Sequence, residues 1–425
     1  MIQLQSFAPG VDGIYIPSDR FKTTRISVNF FLPLTAQTLS ANTILPSMLT
    51  TSCKSYPDYR SLHTRLDSLY GASVGGYAGK VGDAHLLSVT ITYLDDAYTE
   101  KGNAKACAEL LGEMIFSPNL DENGCFQAAD IAREKRLLEE NILGELNNKR
   151  AYAISKAEAI LCKEDVYGLP QLGTPEGAKC LSEADIRAAW QRALREAYIR
   201  ISVVGSTAPD EIFDVLRARF ATVERKAATL PVSAPILPVD QPERTCEKLD
   251  VAQGKLVMAF TTRRTGSMID LVPFSVMCDL FGGGPYSLLF ANVREKLSLC
   301  YYCAARSNRF KGILLVDSGV EKQNAAAAEK EILAQLERVK QGDFADSDLA
   351  AAILGRSDRI RTMFDSQRET ESFYLSQMFD THTCTPDELL EKLAGVTREQ
   401  IIEAAKDIQL SLTYMLSPKE DGENE

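Results

Sequence analysis

The chain has 425 residues, 45% of them hydrophobic and 25% charged, with a formal net charge of −11. That length gives room for two or three domains and a core that needs no disulfide or metal staples. The acidic balance argues against nucleic acid and anionic membrane as partners, since both reward clustered Lys and Arg. There is also no run of about 18 apolar residues that would span a bilayer.

In chain order, MIQLQSFAPGVDG shows neither the basic nor the apolar region of a signal peptide, so a cytoplasmic location is expected. RISVNFF alternates, with Ile26, Val28 and Phe30 on one face, and predicts a half-buried strand. HLLSVTITY does the same through Leu87, Val89, Ile91 and Tyr93. Ser117-Pro118 is expected to close a helix containing LLGEMIF. Ile131, Leu138, Ile142 and Leu146 then recur at helical spacing. Ser182 with Asp185 forms a capping-box pattern before IRAAWQRALREA, and YIRISVV follows as a strand.

The stretch 224–248 differs, because Pro231, Pro235, Pro238 and Pro242 fall within it. Proline at that density stops helices and removes ladder donors, so the stretch reads as an extended linker between residues 1–223 and 249–425. Beyond it, KLVMAF, GILLVDSG and LSLTYML read as strands, and Ile332, Leu336 and Val339 mark a helix. Each half opens with a strand, passes through a helical region and a Gly-containing turn into a strand pair, and closes with helices and a final strand. That order predicts an α+β layered domain made twice.

The sequence offers little catalytic chemistry. His63, His85 and His382 are the only histidines, and no two are four apart. His-Glu-x-x-His or His-x-x-Glu-His would place two imidazoles on one helix turn, aimed at one zinc ion, and neither occurs. Each histidine reads as a surface or capping residue. The run Phe281-Gly-Gly-Gly-Pro-Tyr-Ser lacks the Gly-Lys-Ser/Thr ending of a phosphate loop and reads as a turn, with Pro285 at the first helical position. The ten cysteines read as reduced thiols acting as small hydrophobes. Cys300 and Cys303, within the apolar YYCAA, are given no zinc or redox role on this reading. By spacing alone Arg294 is a surface charge and Tyr301 a half-buried strand residue. No Gly-x-Ser-x-Gly, phosphate loop or dinucleotide fingerprint is present.

LFGGGPYSLLFANVREKLSLCYY resembles the second-half signature of the insulinase, pitrilysin and mitochondrial processing peptidase family: glycines, Ser-x-Leu-Phe, Arg-Glu-Lys and Leu-x-Tyr. LPSMLTTSCKSYPDYRSLHTRLDSLYGASVGGYAGKVGDAHLLSVTI and AREKRLLEEN are similar to the same family's metal helix, strand pair and distal-ligand helix. The likeness covers most of residues 15–417. It implies two similar α/β-roll domains, each an antiparallel sheet with helices packed on it, in a duplicated metalloprotease-like fold. It also implies that Arg294 and Tyr301 grip substrate backbone near the scissile bond.

The departure lies at the metal. Setting Ser47-Met-Leu on the family's His-Met-Leu puts Thr43 and Ser47 at the two ligand histidines. Pro46 then stands at the catalytic glutamate, and Asn141, seven after Glu134, at the distal ligand. Hydroxyls and an amide are poor donors for zinc, and proline cannot act as a general base. The expectation is therefore a chain with no cofactor and no catalytic residue of its own. It would serve as the non-catalytic subunit of a heteromeric zinc peptidase, clamping peptide or unfolded polypeptide for an active zinc-bearing sister subunit. The alternatives are a non-proteolytic assembly scaffold and a standalone homodimeric peptide-binding protein.

Overall fold

The computed structural model describes residues 2–226 and 228–419. They form two compact units. The first contains the chain up to Leu143, together with Leu169–Val232 and Asp365–Leu375. The second contains Gly144–Gly168, Ser233–Phe364 and the chain from Ser376 onward.

The first unit is built on strands β1 (Gln3–Ala8), β2 (Val11–Pro17), β3 (Thr23–Pro33), β4 (Ser73–Val81), β5 (Ala84–Leu94) and β6 (Tyr198–Gly205). Their order across the sheet is β1-β2-β6-β3-β5-β4. Alternation along β3 sends Ile26, Val28 and Phe30 into the main core, with Leu87, Val89, Ile91 and Tyr93 of β5 on the same side. Helix Leu39–Thr51 packs there on β4 and β5, and helix Asn103–Phe116 packs on β5. The opposite face of β3 carries Arg25, Ser27 and Asn29. All three bond the carboxylate of Glu371, at 3.0, 2.9 and 2.8 Å. Glu371 lies on helix Gln367–Ser376, so a polar sheet face is covered by a segment from far along the chain.

The second unit uses β7 (Glu243–Leu249), β8 (Gly254–Thr261), β9 (Cys300–Asn308), β10 (Ile313–Val320) and β11 (Gln409–Pro418), in the order β7-β11-β8-β10-β9. This repeats the first sheet from β2 onward. β2 pairs parallel with β6 and β7 with β11, and the other neighbours are antiparallel. The α+β class and the two similar units expected from sequence are therefore present, with β1 added to the first. Helix Lys149–Leu161, from the first half of the sequence, lays Ala153 and Ala157 on Val257, Ala259, Leu315 and Tyr414. The two units have thus exchanged a covering helix.

Three local expectations change. Pro285 lies in a turn and begins no helix. Leu146 falls beyond the helix Ala128–Gly144, in a 3₁₀ turn over Glu145–Asn147. Residues 243–248, read as linker, belong to β7, because the parallel ladder to β11 supplies the hydrogen bonds that an isolated extended segment lacks. Residues 228–240 carry no helix or strand, and the Ile236 N–H donates to the Lys311 carbonyl at 2.9 Å.

Candidate functional site

Thr43, Pro46 and Ser47 stand together on helix Leu39–Thr51. Thr43, Ser47 and Thr50 share its half-buried stripe, and the hydroxyls of Thr43 and Thr50 turn back on their own helix. Thr43 donates to the Leu39 carbonyl at 2.8 Å, and Thr50 to the Pro46 carbonyl at 3.0 Å. Hydroxyls spent in this way are weak candidates for holding an ion. Pro46 is buried inside the helix, where its ring removes one backbone donor. It also touches the sheet closely: a Cβ on Gly76 of β4 would come within 2.5 Å of the Pro46 carbonyl group.

Asn141 is exposed on helix Ala128–Gly144. That helix meets the end of Leu39–Thr51 through Arg133, whose guanidinium donates to Thr51 Oγ1 at 3.2 Å, Glu134 at 3.2 Å and Asp130 at 2.8 Å. Among the described residues, no group of three His, Cys, Asp or Glu is placed to hold a metal ion. A hydroxyl, proline and amide set does not fit the zinc implied by the resemblance.

The histidines separate. His382 is exposed, with Nδ1 3.1 Å from Asp270, and His63 stacks on Tyr59 with ring centroids 3.9 Å apart. His85 overturns the surface reading. It lies on β5 opposite Lys80 and Leu32, is 0% exposed, and neither ring nitrogen has a partner among the described residues. Strand alternation places it on the same face as Leu87 and Val89, which a histidine viewed in isolation does not reveal. Burial, aided by the Lys80 charge, lowers its pKa to about 4.

Arg294 lies in a π-helical segment, Phe290–Lys296. Such segments are rare and recur at functional sites. Asn292 anchors it, bonding the Leu288 carbonyl at 2.9 Å and Gln335 at 3.1 Å. The Arg294 guanidinium sits over the Phe290 ring, 4.6 Å from its centroid, with Nε 3.5 Å from Glu295. The chain then turns through Ser298, at a φ of 49°, into β9. Tyr301 is 63% exposed there, and its hydroxyl donates to Glu321 at 3.2 Å. Both side chains therefore stand at the surface of the second unit, one on each side of a short turn, and β9 ends the hydrogen-bonded order of its sheet. Sequence reasoning missed Glu321, Phe290 and Asn292, which orient the two groups. Phe290 and Asn292 lie four and two residues before Arg294, inside the motif already read.

Comparison with known proteins decides the family. Residues 181–355 match the family model described as "Peptidase M16 inactive domain". A Bacillus subtilis (strain 168) protein named "Probable inactive metalloprotease YmfF" is 30% identical over 425 residues, covering 98% of each chain. The chain belongs to the M16 peptidase family. The insulinase-type resemblance read from the motifs is thereby borne out. The crystal structure of a conserved protein from Enterococcus faecalis V583 superposes with a TM-score of 0.90 at 26% identity, covering 100% of both chains. The structure titled as a peptidase M16 inactive domain from Pseudomonas fluorescens gives 0.79 at 14% identity, covering 98% of both, and shows the shared fold.

Proposed function

We propose that this M16 chain is a non-catalytic subunit that holds peptide for an active zinc-bearing sister subunit. The observation that carries the reading is an asymmetry. Arg294 and Tyr301 are present and exposed at the rim of an edge strand, while Thr43, Pro46, Ser47 and Asn141 offer no metal-binding set. A guanidinium presents a planar fork of donors suited to a peptide carbonyl, and a phenol adds a second donor to the same oxygen. An open strand edge offers backbone groups to an extended peptide. On this reading residues 1–223 carry the degenerate metal-site positions, 249–425 carry the grip, and the linking stretch is confined to 224–242, since 243–248 belong to β7. M16 members often work as complexes or paired subunits. A cytoplasmic location goes with the same reading, and cell fractionation tests it.

Reconstitution tests the proposal. The isolated chain is expected to leave peptides uncut. A sister chain with an intact His-x-x-Glu-His motif is expected to cut faster when this chain is added. Chelator-sensitive turnover by the isolated chain would overturn the reading. A homodimer that binds peptide with no need of a sister chain would replace it with the peptide-holding alternative.

A further inference from the structure

Cys300 and Cys303 stand three apart in the sequence, and on a regular strand that spacing means opposite faces. The register of β9 on β10 removes that objection. Cys303 lies opposite Ser318, Tyr302 opposite Gly319 and Cys300 opposite Val320, with a register shift between Gly319 and Val320. Tyr301 is the extra residue of a β-bulge. The bulge cancels the odd spacing, so both thiols project from the face that carries Ser318 and Val320.

Those two partners are two apart on β10, a span of about 6.6 Å at strand rise. A disulfide bridges Cα separations of about 4.4–6.8 Å. Each thiol lies close enough to shift the other's ionisation, and the Ser318 hydroxyl across from Cys303 donates to the Tyr302 carbonyl at 2.9 Å. They are 8% and 5% exposed, so Cys300 is the more open of the two.

The groups around them divide their roles. The neighbouring Cys303 thiol, then the Ser318 hydroxyl and the nearby Arg294 charge, lower the Cys300 thiol against the opposing effect of burial. The neighbouring Cys300 sulfur, with burial, raises Cys303. One sulfur is thus the readier thiolate, and its neighbour keeps a proton.

We propose that Cys300 and Cys303 form a reversible dithiol–disulfide site, with hydrogen peroxide as oxidant, inside the bulge that carries Tyr301. The Cys300 thiolate attacks one peroxide oxygen and the O–O bond breaks. The sulfur is oxidised by two electrons to a sulfenic acid, and the departing hydroxide takes up a proton as water. The Cys303 sulfur then attacks the Cys300 sulfur. The S–S bond forms, the S–O bond breaks, and a second water leaves with the Cys303 proton. This site stands apart from the peptide-holding reading and does not depend on it.

The test uses the reduced full-length chain at neutral pH, a small excess of hydrogen peroxide, thiol alkylation and peptide mass spectrometry. Cleavage after Lys296 and Arg306 leaves both cysteines on one peptide, Leu297–Arg306. That peptide is expected to escape alkylation and to be lighter by two hydrogens, with dithiothreitol restoring it. The exposed Cys180 and Cys246 are expected still to be alkylated at that dose. In Cys303→Ala the same dose leaves Cys300 as a sulfenic acid that dimedone captures. In Cys300→Ala, Cys303 stays a thiol. Oxidation of Cys180 and Cys246 ahead of an intact Cys300–Cys303 pair would overturn the proposal. So would a Cys303→Ala chain in which Cys300 takes up no dimedone.

Discussion

His85 supplies the sharpest test of the first unit's packing. The imidazole is 0% exposed, has no hydrogen-bond partner among the described residues, and sits across from Lys80, whose ammonium donates to the Leu169 carbonyl at 2.9 Å. Its folded pKa is about 4, against about 6.5 in the unfolded chain. The unfolded state therefore binds the proton first as pH falls. The stability tied to neutral His85 is fully present above about pH 6.5 and is lost progressively down to about pH 4. The full shift corresponds to about 3 kcal/mol at 1.36 kcal/mol per unit, and about 2 kcal/mol of it goes between pH 7 and pH 5. Leucine at this position keeps the bulk and cannot titrate, so the pH dependence of wild type and His85→Leu differs by that term. Trp190 is the chain's single tryptophan and lies in this unit, with its indole N–H donating to the Ile115 carbonyl at 2.8 Å. Urea melts followed by Trp190 fluorescence at pH 7, 6 and 5 thus read the relevant unit. The leucine variant should gain about 2 kcal/mol on the wild type between pH 7 and pH 5. Parallel pH profiles for the two chains would refute the buried, unpartnered histidine.

The remaining predictions concern backbone approach, the exchanged helix and the grip. Gly76→Ala places a Cβ 2.5 Å from the Pro46 carbonyl group and should lower stability by roughly 1–3 kcal/mol in the Trp190 melt. An unchanged midpoint would mean that β4 and the helix separate easily. Glu371→Ala strips the carboxylate from Arg25, Ser27 and Asn29 on a largely buried face and should cost about 3–5 kcal/mol in the same assay. Arg294→Ala and Tyr301→Phe should each slow the reconstituted peptidase, by up to about 3 kcal/mol in transition-state energy, with unaltered melts. The double variant should lose less than the sum if, as proposed, both groups serve one oxygen. Wild-type turnover in Arg294→Ala would make that residue a solvated charge.

Much of the architecture is a local property of the chain. Alternation in RISVNFF, HLLSVTITY and YIRISVV fixed which side chains share a face. Ser182 and Asp185 form the reciprocal cap expected of them, and the helix containing LLGEMIF stops at Phe116 before Ser117-Pro118. These signals depend on a few consecutive residues, so they survive in a bare sequence. The repeated order of elements likewise foretold two similar sheets, and the Thr-x-x-Pro-Ser pattern already lacked the donors for zinc.

What the sequence alone could not decide depends on partners distant in the chain. Helical periodicity in Lys149–Leu161 and Gln367–Ser376 is the same whichever sheet they cover, so their exchange appears only once Ala153 meets Val257 and Glu371 meets Arg25. His85 looked peripheral because burial is set by the face its strand turns inward, and by Lys80 and Leu32 beside it. The apolar run around Cys300 and Cys303 gave them no special role, and only pairing with β10 shows the extra residue between them that brings both to one face. Spacing along one strand gives direction only while the ladder is regular, and the position of a bulge is a property of two strands together.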